Sequence, residues 1–340
     1  MSQQLTTHKR VLHDGFRALA EAAPADLLSH LENLYHPDAE WRGSHPINEL
    51  QGTQAILEHV WQPLKAAFPD LERRDDIVVA GVFEGADMVA SVGHLTGTFV
   101  APWLDIPPTG KTISIRYGEV NKMQGDRIVQ TTMLLDVLDV IRQSGYWPLP
   151  PSMGLETRWL APFTGDGVRL DHTDPEQGGQ SMAFMREMQE ILGQYNQPHH
   201  NTREGLMEMP QKDYWHERFM WYGPSGIGTT RGIQGFVDQH QLPFRIAFPN
   251  RTGAHHYIRI GDGPYSVTGG WPGSVKAMHT GGNFLGTSPT GRQVQMRVMD
   301  FYLEHEGKLR ENWVPIDILD LLMQMDIDIW ARMRLQHPVK

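Results

Sequence analysis

Towards the end of the 340-residue chain, alternate positions carry groups suited to proton transfer: Leu309, Glu311, Trp313, Pro315 and Asp317. On a strand these five side chains share one face. A carboxyl group beside an indole on a concave sheet face is a candidate acid–base site. Partial burial there disfavours the ionised form and lifts the carboxyl pKa towards working pH. Asp317 also has a second reading. It directly precedes an apolar helical run (Ile318, Leu319, Leu321, Leu322, Met325), with Asp320 three residues on. That is the place of an N-cap, whose carboxylate accepts a backbone N–H and complements the helix dipole. On sequence alone, cap and catalyst both stand.

The same strand occurs earlier in the chain. Ile128, Gln130, Thr132, Leu134 and Asp136 match the five positions, and only the aspartate is common to both sets. Asp136 precedes Val137-Leu138 and reads first as a cap. The match belongs to a longer repeat. Pro108-Thr109-Gly110-Lys111 returns as Pro289-Thr290-Gly291-Arg292, and Asp136-Val137-Leu138-Asp139 as Asp317-Ile318-Leu319-Asp320, both displaced by 181 residues. Phe68-Pro69-Asp70 returns as Phe248-Pro249-Asn250, and Gly52 as Gly232, displaced by 180. A period this long excludes a solenoid and implies two duplicated globular domains. The carboxylate and indole present only in the second copy place the expected site there.

Each copy must supply elements that hold such a strand. Val11, Leu12, Phe16, Leu19, Leu27, Leu28, Leu31 and Leu34 recur at helical spacing, with Pro24 dividing two helices. Gly52 to Phe68 reads as a further helix closed by Pro69. The period then becomes two, in Ile77-Val78-Val79, in Met88 to Thr98, and in Ile113, Ile115 and Tyr117. In the second copy Val294, Met296 and Val298 alternate with Gln293, Gln295 and Arg297. Helices followed by antiparallel strands make the fold class α+β, with helices packed on one strongly curved sheet. The expected layout is a domain over 1–145 with a degenerate site, a proline- and glycine-rich linker over 146–179, and a domain over 180–340 with the ligand or active site.

Composition closes off other classes. A net charge of −10 gives nothing to neutralise a phosphate backbone, so no nucleic-acid partner is expected. The absence of cysteine excludes disulfides and thiolate metal sites. No apolar run approaches the length of a membrane span, and the first ten residues lack the apolar core of a signal peptide, so no membrane partner and a cytoplasmic location are expected. Gly110-Lys111-Thr112 is no phosphate loop, since Asp105 stands at the first glycine position and a strand follows. Ser225 misses the nucleophile-elbow pattern by one residue, and Gly226, Gly228 and Gly232 miss the dinucleotide spacing. His199-His200 and His255-His256 are not spaced for a metal, so no metal site is expected.

The Phe-Pro-Asp that ends the helix, the Pro-Thr-Gly turn and the strand Glu311-Asn312-Trp313-Val314-Pro315-Ile316-Asp317 together resemble the SnoaL-like polyketide cyclases of the nuclear transport factor two-like superfamily. The resemblance covers both copies. It implies two tandem cone-shaped α+β barrels, each with helices packed on a strongly curved, mainly antiparallel sheet, and an intrachain pseudo-dimer, with a further homodimer left open. It also implies an aspartate acid–base at Asp317 and an orienting histidine at His279, within Met278-His279-Thr280-Gly281, for an aldol closure that needs no metal or cofactor. The first copy has Phe99 and Thr132 where the second has His279 and Trp313.

These readings converge on a cofactor-independent cyclase, isomerase or related lyase acting on a small carbonyl-bearing hydrophobic molecule. Trp221, Tyr222, Trp271 and Trp313 would line its pocket beside Glu311. Arg297 would hold an anionic substituent or pair with Asp300. The first copy's counterpart pocket would be smaller, or filled by Phe99 and Trp103. A non-catalytic small-molecule-binding protein and an epoxide or ester hydrolase in the same fold remain the alternatives.

Overall fold

In the computed structural model, which describes residues 2–156, 158–253 and 255–336, the chain divides into two compact units. Residues up to Tyr146, with Leu160–Pro175 and the segment after Arg332, form the first; Trp147–Trp159 and Glu176–Arg332 form the second. The stretch read as a linker is thus shared out, its first half going to the second unit.

The first unit opens with helices α1 (Ser2–Glu21) and α2 (Leu27–Leu34), separated by a short 3₁₀ turn that begins at Pro24. Strands β1 (Tyr35–Gly43) and β2 (Glu49–Gln51) follow. Next come α3 (Thr53–Ile56), a π-helical turn at Leu57–Trp61 and α4 (Gln62–Ala67). Strands β3 (Glu72–Phe83), β4 (Ala86–Thr98), β5 (Thr112–Gln124) and β6 (Arg127–Leu135) lead to α5 (Val137–Gln143). The sheet order is β2-β1-β6-β5-β4-β3, with β1 and β6 parallel and the other neighbours antiparallel.

The second unit repeats the plan. Helices α6 (Pro175–Gly193), α7 (Arg203–Glu208) and α8 (Gln211–Tyr214) precede β7 (Trp215–Tyr222) and β8 (Thr229–Arg231). Helix α9 (Gly232–Phe236), a π-helical turn at Val237–Gln241 and α10 (Leu242–Ala247) follow. Strands β9 (Thr252–Gly253), β10 (His256–Asp262), β11 (Tyr265–Met278), β12 (Gln293–His305) and β13 (Lys308–Trp313) end at α11 (Ile318–Gln324) and α12 (Ile329–Arg334). The order β8-β7-β13-β12-β11-β10 mirrors the first sheet, and β9 pairs with β11. Both sheets are curved and open, and each unit is an α+β cone. Among the described residues no helix is long and apolar enough to cross a membrane.

Local chemistry explains the recurring landmarks. Gly52 and Gly232 introduce their helices with φ of 86° and 67°, a left-handed backbone that a side chain would disfavour. The π-helical turn falls at the same place in both copies, just before Pro63 and Pro243. A single π turn inside an α-helix is often associated with function. In the second unit the turn carries His240.

Helix α6 crosses β10 at a glycine pair. A Cβ on Gly261 would collide with the carbonyl of Gly178, so backbone meets backbone there. Beyond the crossing, α6 buries Met185, Met188 and Leu192 on the concave side of the sheet. Gly261→Ala is expected to destabilise the second unit by about 3 kcal/mol through overpacking. Gly253→Ala, with open space around its Cβ, should stay within about 0.5 kcal/mol when both variants are unfolded in urea.

Candidate active site

Between the curved sheet of the second unit and its helices lies a cavity of about 320 Å³. Its apolar wall is aromatic. Trp215 and Trp221 come from β7, Phe236 from α9, Phe244 from α10 and Phe284 from the β11–β12 loop. Polar groups reach in from five elements: Gln189 on α6, His240 on the π turn, Arg245 on α10, Asp300 and Tyr302 on β12, and Asn312 on β13.

The strand pairing explains why these residues meet. Tyr302 lies opposite Asn312, and Asn312 opposite Trp221, so all three point to one side of the sheet. Asp300 joins them by period two along β12. Its carboxyl receives a hydrogen bond from Asn312 Nδ2 at 3.4 Å and a second from the Tyr302 hydroxyl. Burial pushes the carboxyl pKa up to about 6, and the two hydrogen bonds only partly offset this. Such a group ionises near neutrality and exchanges a proton with little driving force in either direction.

His240 stacks on Trp221 with ring centroids 3.9 Å apart and a 17° interplanar angle. Burial, followed by the neighbouring Arg245 guanidinium, holds its pKa down to about 3, so it is neutral at working pH. Its Nδ1 is buried without a hydrogen-bond partner, as are Trp215 Nε1 and Gln241 Oε1 on the same wall. Unpaired buried polar atoms are costly, and a ligand that satisfied them would recover that cost.

The residues singled out from sequence fall elsewhere, apart from Trp221, which lines the cavity. Leu303 pairs with Glu311 and Phe301 with Trp313, which sets Glu311 and Trp313 on the opposite side of the sheet. There the Tyr222 hydroxyl donates to Glu311 Oε1 at 2.8 Å, and the Tyr222 ring stacks on Trp313 at 5.2 Å. Asp317 caps α11, accepting the Asp320 amide at 3.1 Å, and its second oxygen pairs with Arg297 at 3.1 Å. Arg297 reaches Asp320 as well, at 3.4 Å, and lies over the Trp271 ring at 4.4 Å. The expected pairing of Arg297 with Asp300 is therefore corrected: positions three apart on a strand face opposite ways, and the arginine pairs with the capping Asp317 and with Asp320 in the first turn of α11. His279 is fully buried in the loop after β11. Its Nε2 lies 3.0 Å from the Gly282 carbonyl and its Nδ1 3.3 Å from Thr290 Oγ1.

The first unit repeats the Asp317 arrangement. Asp136 caps α5 through the Asp139 amide and pairs with Arg116 at 2.7 Å. Asp317→Asn and Asp136→Asn keep a capping oxygen but lose a buried charge-assisted bond. Each is expected to cost about 1.5–3 kcal/mol in denaturant unfolding, and the two costs should agree within about 1 kcal/mol. A large cost at one position with none at the other would contradict a shared structural role.

In the first unit the equivalent space is filled. Glu119 occupies the place of Asp300, and Arg73 lies against it at 2.6 Å. Arg73 also bonds Asp75 at 3.0 Å and Ser91 at 2.8 Å, and sits between the Phe16 and Tyr117 rings at 4.6 and 4.5 Å. In the second sheet Gly253 stands at the register position of Arg73, and Val298 at that of Tyr117. Loss of these two large side chains leaves the acid facing open space. Phe99 and Trp103, expected as the filling, instead pack on Phe68 at 4.8 and 6.1 Å. A further difference widens the second cone. Three additional residues enter β11 between Gly270 and Val275 as a bulge, and Ser274 and Val275 on it line the cavity.

Comparison with known proteins gives these features a family. The model of the SnoaL-like polyketide cyclases matches residues 14–144 and again 207–325, well over half of the sequence. The chain belongs to the SnoaL-like polyketide cyclase family. Among solved structures, it is similar to a candidate SnoaL-like polyketide cyclase from Jannaschia sp. CCS1. The identity is 20%, over 40% of this chain and 90% of that one, with a TM-score of 0.33. It is also similar to IdmH, a candidate polyketide cyclase from Streptomyces antibioticus, at 23% identity over 38% and 96% with a TM-score of 0.32. A third is an NTF2-like protein from Burkholderia thailandensis E264, at 21% over 40% and 95% with a TM-score of 0.31. No curated protein matches the chain.

The SnoaL-like match leaves out residues 145–206, and α6, which builds one wall of the cavity, begins inside that interval. Sequence reasoning missed Asp300 and His240. The signal for Asp300 was present: it continues the apolar series Val294, Met296 and Val298, where a carboxylate on the buried face of a strand is out of place. His240 stands where the first copy has Val60 at the 180-residue offset, a difference between the copies like those at Glu311 and Trp313 in the last strand.

Proposed function

We propose that the second unit is an acid–base enzyme of the polyketide cyclase type, acting on a small carbonyl-bearing, largely apolar molecule, with Asp300 as the proton-transfer group. The observation that supports this reading is the Asp300 carboxyl, raised to about 6, at the polar corner of an aromatic cavity. In its ionised form Asp300 takes a proton from the carbon next to a carbonyl, and the electron pair of that C–H bond becomes the enolate. Tyr302 or Asn312, both beside Asp300, donates to the developing oxyanion. The enolate carbon then bonds to a second carbonyl of the same molecule. The resulting alkoxide takes the proton back from Asp300, so the closure is balanced without a co-reactant. Trp221, Phe244 and Phe284 hold the chain folded, which converts ring closure into a pre-oriented step.

The experiment is a screen of β-polyketones and hydroxy-ketones for thermal stabilisation, followed by turnover of the compounds that bind. Asp300→Asn is expected to lose activity, while Asp317→Asn retains it. Activity in Asp300→Asn with loss in Asp317→Asn would transfer the role to the other face of the sheet.

A further inference from the structure

One guanidinium, Arg245, lines the cavity and a second, Arg251, lies near it, and among the described residues neither has a carboxylate partner. Arg245 is 7% exposed and lines the cavity from α10. It donates to the Tyr195 carbonyl at 2.8 Å, and among the described residues no carboxylate lies within ion-pair distance of it. Arg251 is near by. It donates to the Phe248 carbonyl at 3.0 Å and to Asn196 Oδ1 at 2.9 Å, again with no acid partner among the described residues. Burial and the repulsion of Arg251 pull the Arg245 pKa down to about 10, the opposite of what a paired arginine shows. Buried guanidiniums are rarely kept without a counter-charge.

The first unit shows that the fold itself does not require them. At the place of Arg245 it has Lys65, whose Nζ serves the carbonyls of Ala20 at 2.8 Å and Pro69 at 3.0 Å. At the places of Arg251 and His240 it has Leu71 and Val60. The second unit alone therefore combines a buried guanidinium, a second one behind it and an unpaired imidazole nitrogen at one part of its cavity. Arg245 acts electrostatically on His240, whereas the Asp300 shift arises from its own burial, Asn312 and Tyr302. The cationic group and the proton-transfer group thus serve different parts of a ligand.

We propose that the molecule bound in this cavity carries a carboxylate, seated on the Arg245 guanidinium and the His240 Nδ1–H, on a flat apolar body held by Trp221 and Phe244. The planar fork of Arg245 suits a carboxylate, and one guanidinium with one imidazole offers too few donors for a phosphate. The inference rests on the cavity being the substrate site, as set out above, and adds the class of substrate.

Isothermal titration of the full chain at pH 7.5 with 2-naphthoate and 2-naphthylmethanol tests it, because the two probes differ only in the anionic group. The wild-type protein should prefer the acid by about 10-fold or more. Arg245→Gln should weaken naphthoate by about 10- to 100-fold and leave the alcohol within about 3-fold, whereas Arg245→Lys keeps most of the preference. If Arg245→Gln fails to fold, by near-UV circular dichroism, the decision falls to His240→Phe. That variant should lose about 10-fold for the acid and little for the alcohol. Equal wild-type affinity for the two probes, or equal loss of both in Arg245→Gln and His240→Phe, overturns the carboxylate seat and leaves the cavity standing. Failure of both probes to bind overturns the cavity as a ligand site as well. Asp300→Asn should bind naphthoate at least as well as wild type, so a failure of the proton-transfer role would show in turnover and not here.

Discussion

Asp300→Asn is expected to lower turnover by about 100-fold or more while making the protein more stable at pH 8. The two effects share one cause. The carboxyl has an ordinary value of 3.8 and is raised to about 6 by burial in the cavity. Between those values the folded protein holds a proton that the unfolded chain has released. Stability therefore falls as pH rises through about 6, and the contribution is complete below about 4. At 1.36 kcal/mol per pH unit the ionised carboxyl costs the fold up to about 3 kcal/mol at pH 8, and access from the cavity reduces this to about 1–3 kcal/mol. Asparagine keeps the shape and removes the charge. Its unfolding free energy should exceed that of the wild type at pH 8 and match it at pH 4. The wild-type rate should rise with pH through about 6, where the base ionises, and the residual rate of the variant should lack that step. A flat wild-type rate between pH 5 and 7, or a variant no more stable at pH 8, would show that Asp300 bears neither the charge nor the chemistry assigned to it.

Much of the architecture was legible because it rests on local rules written twice. The helical spacing before Leu34, the Phe-Pro ends at 68 and 248, and the alternation from Ile113 to Tyr117 each fix an element. The offset of 180 to 181 residues carries most assignments from one copy to the other and fails in the first half of β11, ahead of the bulge. The capping role of Asp317 was also present in the sequence, as an aspartate just before an apolar helix. The side of the sheet that faces the cavity was not. On β13 both faces are buried: Glu311 and Trp313 on one side, Asn312 on the other. Alternation then separates two sets of residues without saying which is concave, and a choice wrong by one position turns every side chain to the opposite face. The filling of the first cone was hidden for a different reason. Arg73, Glu119 and Tyr117 lie on β3 and β5, which neighbour β4 but not each other. Only the curvature of the sheet brings their side chains together, and no spacing in the sequence expresses it.

Arg73→Ala is expected to destabilise the first unit by about 3–5 kcal/mol, the usual scale for removing one member of a buried ionic cluster. Arg73 faces two carboxylates, Asp75 and Glu119, in a site closed to water. Glu119 is fully buried, and burial already raises its pKa against the opposing pull of Arg73. Asp75 is held down to about 2: its burial is outweighed by Arg73 and by bonds from His13 and Tyr117. Without the guanidinium, Glu119 must take up a proton or pull the core open, whereas Asp75 keeps two partners. Differential scanning calorimetry should therefore show an early transition for the first unit that moves to higher temperature as the pH is lowered towards 5. The double variant Arg73→Met with Glu119→Gln removes both charges at similar volume. It should recover most of the loss, because an apolar replacement for a buried ion pair is often neutral or better. If Arg73→Ala alone costs less than about 1 kcal/mol, the first cone has no ionic plug. The contrast between a filled cone in one copy and an open one carrying Asp300 in the other would then need a different physical basis.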